Sequence, residues 1–161
     1  MDNVGSNRLP LLTPRSSAQA QGVVIVRAVN NSAVVLTAGD VVVFDATAAN
    51  NPIGGLISVT TTTSADDKNG IGVVAAGEVN IPVGGEFWLQ GSGYHSGVNI
   101  DGTTDIANGD RISTNTTAKS AAKAASGNYS PLGIYIDAAY TTDALALKKV
   151  FLTNPLGIRG S

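Results

Sequence analysis

Residues 22–46 read GVVIVRAVNNSAVVLTAGDVVVFDA, and this stretch decides the fold class. Three runs rich in Val and Ile, GVVIVRAV (22–29), AVVLT (33–37) and DVVVFDA (40–46), are separated by Asn-Asn-Ser and Ala-Gly. β-Branched residues favour strands, and Asn, Gly and Asp favour turns. The texture continues downstream. LISVTTTT (56–63), IGVVAA (71–76), EVNIPV (78–83), EFWLQ (86–90), GVNI (97–100), DRIST (110–114), LGIYID (132–137) and LALKKVFLT (145–153) read as further short strands. Turn signals recur about every 8–12 residues, the spacing of sandwiches and barrels. TAKSAAKAAS (117–126) reads as one or two helical turns from its alanines, or as a loop. The expected fold is mainly β, a small barrel or sandwich with an extended N-terminal arm.

The boundaries follow from composition. Residues 1–21 form the arm, 22–153 the β body and 154–161 a C-terminal tail. The arm holds Pro10 and Pro14 and one apolar patch, Leu9-Pro10-Leu11-Leu12, flanked by Arg8 and Arg15. Proline removes a donor and disfavours helix before it, so the arm reads as extended. Its reach is up to roughly 70 Å. An apolar patch on a tail implies a partner surface that covers it.

Two segments echo each other. Ala38-Gly39-Asp40-Val41-Val42 resembles Asn108-Gly109-Asp110-Arg111-Ile112. Each is followed by a Gly-Ile strand ending in alanines, at Gly70–Ala76 and Gly133–Ala139. The echo is either a duplication or common turn chemistry.

Charged residues make up 14% of the 161 residues, against a usual figure of about 25%. Residues 1–30 carry Asp2 against Arg8, Arg15 and Arg27, a net +2. Residues 144–161 carry Lys148, Lys149 and Arg159, a net +3. The body between them, with eleven acids against four bases, carries −7. Basic ends on an acidic body suit docking on an acidic surface, and equally the charge drift common to short termini. The acidic body argues against a nucleic-acid partner. With no cysteine there is neither a disulfide framework nor a thiolate metal site. The N-terminus lacks the apolar run of a signal peptide, and no stretch approaches the length of a membrane helix, so synthesis in a cytoplasm without membrane insertion is expected.

The chemistry-bearing residues are few. His95 is the single histidine and Trp88 the single tryptophan, both within GEFWLQGSGYHSG (85–97). A Ser-His-Asp relay would need His95 with Ser92 or Ser96 and Asp101, but the serine sits one place late for a nucleophile elbow. Asp101, Asp105 and Asp110 offer oxygen ligands for calcium, but the EF-hand spacing fails and turn formation explains them. Phosphate-loop and dinucleotide patterns are absent. The expectation is therefore no catalytic residue, no cofactor and no metal. By strand alternation Phe87 and Leu89 share one face and Trp88 and Gln90 the other. Trp88 reads first as a core residue. The other reading makes Trp88, Tyr94 and His95 interface aromatics, with Tyr94 and His95 in a glycine-flanked loop.

The order AGDVVVFDA, GIGVVAAGEVNIPVGGEFWLQG, NGDRISTN, PLGIYIDAA and a closing LALKKVFL strand resembles the decoration (cement) proteins of tailed-bacteriophage heads. The match covers roughly residues 38–153, with the Gly-Glu-x-x-x-Pro-x-Gly-Gly hairpin at Gly77–Gly85. The resemblance implies a β-barrel or β-tulip domain on the outer capsid surface of the virion, stiffening the expanded shell. It implies the major capsid protein as partner, and a homotrimer at three-fold or quasi-three-fold positions. It assigns capsid binding to the arm at Arg8, Leu9, Pro10, Leu11, Leu12, Pro14 and Arg15. Two other classes stay open on the residues: a tail component, and a glycan-binding surface module using Trp88, Tyr94 and His95. A hydrolase built on His95 is a third.

Overall fold

The computed structural model describes residues 22–47, 56–127 and 131–153. The arm residues Arg8 to Arg15 and the tail at 154–161 lie outside them. Nine strands are present among the described residues: β1 (Val24–Asn30), β2 (Val41–Phe44), β3 (Ile57–Thr60), β4 (Gly70–Val74), β5 (Glu86–Asp101), β6 (Arg111–Thr114), β7 (Ala121–Lys123), β8 (Gly133–Tyr135) and β9 (Leu145–Thr153). The fold is mainly β, as expected.

The strands close into two five-membered rings. The order β1-β3-β2-β4-β5 closes through β1–β5, and β5-β7-β6-β8-β9 closes through β5–β9. Strand β5 belongs to both rings. Each ring has one parallel pair, β1–β3 in the first and β5–β7 in the second. Every other pairing is antiparallel.

The two Gly-Asp segments are therefore matching corners of one repeated unit. The bridge Leu36–Ile81 corresponds to Ile106–Tyr140. Asp40 accepts the Thr37 amide at 2.9 Å, and Asp110 accepts the Ala107 amide at 2.8 Å. Glu78 accepts the Trp88 amide at 2.9 Å, and Asp137 accepts the Lys149 amide at 3.1 Å. One amide–carboxylate pair is reversed between the units. Asn31 donates to Asp45 at 2.7 Å, whereas Asn115 donates to Asp101 at 2.8 Å. Such a pair works in either direction, so drift in sequence leaves the contact intact.

Each ring has its own core. Phe87 and Leu89 from β5 fill the first with Ala28, Leu36, Val42, Val59, Ile71, Val74 and Ile81. Val98 and Ile100, further along β5, fill the second with Ile106, Ile112, Leu132, Tyr135, Val150 and Leu152. Val41 and Val73, on the outside of the first ring, join the second cluster. They fuse the rings through apolar contact. Gly39 sharpens the seam. Its φ is +89°, and an added Cβ would meet the Gly97 carbonyl oxygen at 2.2 Å.

Several expected elements differ. GSGYHSG is no loop: β5 runs unbroken through it for 16 residues. Main-chain pairing to β9 overrides the poor strand propensity of its glycines. Residues 33–37 and 78–83 are not strands; they are loops tied by the single Leu36–Ile81 bridge. The alanine-rich stretch supplies strand β7 and no helix, because Ala121 packs in the second core.

Candidate functional site

His95 is buried in the seam between the rings, and both ring nitrogens are engaged. Nε2 donates to the Val74 carbonyl at 3.1 Å, and Nδ1 accepts the Gly97 amide at 3.1 Å. These two contacts fix the neutral tautomer and hold the irregularity of β5 between His95 and Val98. Burial pushes the imidazole below its ordinary range, and the Val74 hydrogen bond opposes this only in part. A buried imidazole with both nitrogens occupied has no lone pair free for a substrate. His95 is thus neither a loop residue nor an exposed aromatic, which corrects two expectations.

Two of the three carboxylates weighed for calcium, Asp101 and Asp110, are committed elsewhere. Asp101 accepts from the amide and hydroxyl of Thr103 at 3.0 and 2.6 Å, from Asn115 at 2.8 Å and from Thr117 at 2.9 Å. The Thr103 contacts chiefly hold its carboxyl below the usual range. Asp110 pairs with Lys123 at 2.9 Å, and this contact lowers its carboxyl too. Among the described residues no group of three or more His, Cys, Asp or Glu side chains could hold a metal ion.

Trp88 is not a core residue. Alternation along β5 puts Phe87 and Leu89 inside and leaves Trp88 47% exposed. The Arg27 guanidinium lies over its ring, 5.0 Å from the centroid, and Arg27 also pairs with Glu86. Trp88 also walls an open groove of about 610 Å³ with Ile25, Ala75, Ala76, Gly77 and Glu78. Trp88 and Tyr94 are both exposed, but six residues of strand, roughly 20 Å, separate them. They do not make one stacking surface.

A second outward face was not foreseen. Tyr94 on β5 lies opposite Phe151 on β9, and Phe151 lies opposite Ile134 on β8. Ile134 in turn faces Arg111 on β6. Tyr94, Phe151 and Ile134 are 50%, 42% and 38% exposed. The available signal was KVFLT in β9, which is apolar on both faces. A strand with that pattern is covered on both sides in parallel sheets, and a one-sided barrel strand alternates.

The chain thus belongs, by architecture, to the all-β proteins, with two closed five-strand rings sharing a long strand. No family model matches it, and no curated protein does. Among solved structures it is similar to the N base of the head fiber gp8.5 of bacteriophage phi29. The two are 12% identical over 81% of this chain and 94% of the other, with a TM-score of 0.44.

Proposed function

We propose that the protein is a structural part of a tailed-phage virion, which binds the outside of the capsid and stabilises the expanded shell. The observation that carries this reading is the body's surface chemistry. Its one imidazole and its Asp101 and Asp110 carboxylates are tied into internal contacts, while large apolar side chains stand outward at Ile25, Trp88, Tyr94, Ile134 and Phe151. A body so built offers adhesion in place of catalysis. The sequence resemblance of residues 38–153 to head decoration proteins supports the same reading, as does the low charge.

In this account the arm makes the capsid contact. Leu9, Leu11 and Leu12 bury against capsid subunits, Arg8 and Arg15 meet acidic groups, and the prolines keep the segment extended. An extended arm that pairs with a sheet edge gains main-chain hydrogen bonds as well as burial. Repetition over a symmetric lattice turns modest single contacts into firm retention. The test is cosedimentation with heads that lack the protein, using the full chain and a form without residues 1–15. Saturable binding by the full chain alone supports the assignment. Equal binding by both forms moves the contact to the body, and binding by neither sinks the capsid reading in favour of a tail location.

One observation favours a second reading. The groove beside Trp88 combines an exposed indole with the Glu78 carboxylate, the pairing that sugar rings use for stacking and hydrogen bonding. A glycan screen with wild type and Trp88→Ala decides it: binding lost in the variant supports it, and a blank screen for wild type removes it.

A further inference from the structure

The repeat allows one face to be compared with its own counterpart in the same chain. On the first ring Val41, Val73, Gln90 and Ile25 lie side by side across β2, β4, β5 and β1. On the second ring Arg111, Ile134, Phe151 and Tyr94 hold the same four positions across β6, β8, β9 and β5. The pairings are identical in kind, yet the two rows have different surroundings.

Three of the four residues of the first row are covered, and Ile25 at its end stays exposed. Val41 and Val73 are buried in the second ring's apolar cluster. The Gln90 amide donates to the Ser92 and Tyr94 carbonyls at 3.2 and 2.9 Å, where β5 crosses into the second unit. The second unit sits on this row and also grips its edge: the Asn99 amide donates to the Gly39 carbonyl, and the Val41 amide to the Lys119 carbonyl, each at 2.9 Å. Among the described residues no third unit covers the second row, and all four of its side chains are exposed.

Stacked repeats need a polar outer face on the terminal unit to stay soluble and unassociated. Here the terminal row is the reverse of polar. Ile134 stands where the covered row has Val73, and Phe151 stands where it has Gln90. We infer that the row Ile134–Phe151–Tyr94 is a self-association surface, covered by a second copy of this chain. The occupant follows from the chain's own precedent: the first-unit row is closed by a unit of this same fold, and each further copy supplies one. Arg111, at the end of the row, forms its polar rim, where a guanidinium is well placed to stack on an aromatic ring of the neighbouring copy. The inference does not rest on the capsid reading, since no shell is needed to test it.

The experiment is sedimentation velocity and equilibrium on the purified full chain, from low to high micromolar. The variants are Phe151→Lys, Ile134→Lys and Tyr94→Lys, with Val79→Lys as control; Val79 is exposed in the hairpin between β4 and β5 and lies off the row. A further variant replaces Leu9, Leu11 and Leu12 together by Ser. Wild type, the Val79 control and the arm variant should associate alike. Each row variant should weaken association about tenfold or more, as expected for a buried aromatic or aliphatic anchor. Circular dichroism and the urea midpoint identify any row variant that misfolds, and the remaining ones then decide. A wild type that stays monomeric overturns the inference. So does unchanged association in folded row variants, or association lost only in the arm variant, which would make the arm the occupant.

Discussion

Gly39 and Gly109 occupy the same corner of the two units, and alanine at each separates backbone strain from the fit between rings. Their φ angles are +89° and +93°. A Cβ at either pays the left-handed penalty, about 1–2 kcal/mol. At Gly109 nothing lies within 4 Å of the new carbon. At Gly39 the Gly97 carbonyl oxygen lies at 2.2 Å and Leu147 Cδ2 at 3.0 Å. The first is a main-chain atom in the strand shared by both rings, so it can yield only if β5 moves by about 1 Å. Overpacking of that kind adds about 1–3 kcal/mol. Gly39→Ala should therefore cost about 2–5 kcal/mol and Gly109→Ala about 1–2 kcal/mol. For a chain of this size each kcal/mol lowers Tm by roughly 2–4 °C. Thermal and urea unfolding of both variants provide the assay. Equal losses at the two glycines would refute the seam as a close-packed junction, because strain alone would then explain both.

Four further outcomes follow from the same geometry. Asp101→Ala leaves the donors of Thr103, Asn115 and Thr117 without their shared acceptor and should cost about 2–4 kcal/mol in urea unfolding. The double change Asp101→Asn with Asn115→Asp should recover most of that loss, since it copies the Asn31–Asp45 arrangement; no recovery would contradict the repeat. His95 has its folded pKa held below the unfolded value of 6.5, so the unfolded chain binds more protons in between. Its contribution is complete above about pH 6.5 and is lost as pH falls toward the folded value; urea titrations across this range should show the slope in wild type and a reduced one in His95→Gln. Leu89→Ala should cost about 2–5 kcal/mol, whereas Trp88→Ala, which loses an exposed ring and its Arg27 contact, should cost less than about 1.5 kcal/mol. The reverse ranking in thermal unfolding would mean that β5 presents the other face to the core.

The strands with Val and Ile on both faces were legible because their side chains and their burial agree. β1, β2, β3, β4, β8 and β9 all fall within segments rich in Val, Ile and Leu, and β6 follows the second Gly-Asp corner. The middle of β5 was not legible. Glycine and serine at 91–93 and 96–97 have low strand propensity, and distant partners, Leu152 and Thr153 on β9 and Val24 on β1, make the stretch a strand. The alanines of β7 mislead in the opposite sense, since helix propensity yields to a place in the second core. The duplication was visible at its Gly-Asp corners, where turn geometry preserves residue types. It was hidden at Asn31–Asp45 and Asp101–Asn115, where the contact survives with its partners exchanged. The side of Trp88 could not be read from alternation, which gives two faces without saying which is inside; the cross-strand partners decide it. The row at Ile134, Phe151 and Tyr94 joins three distant segments, so only the register reveals it.

The measurement that tests the functional proposal most directly is the thermal stability of expanded heads of the proposed parent phage, prepared without this chain and then saturated with the purified protein. The account predicts a higher melting temperature of the shell at saturation, with the gain absent when the form without residues 1–15 is used. An unchanged melting temperature at demonstrated saturation would contradict it, leaving a bound protein that does not stabilise the shell.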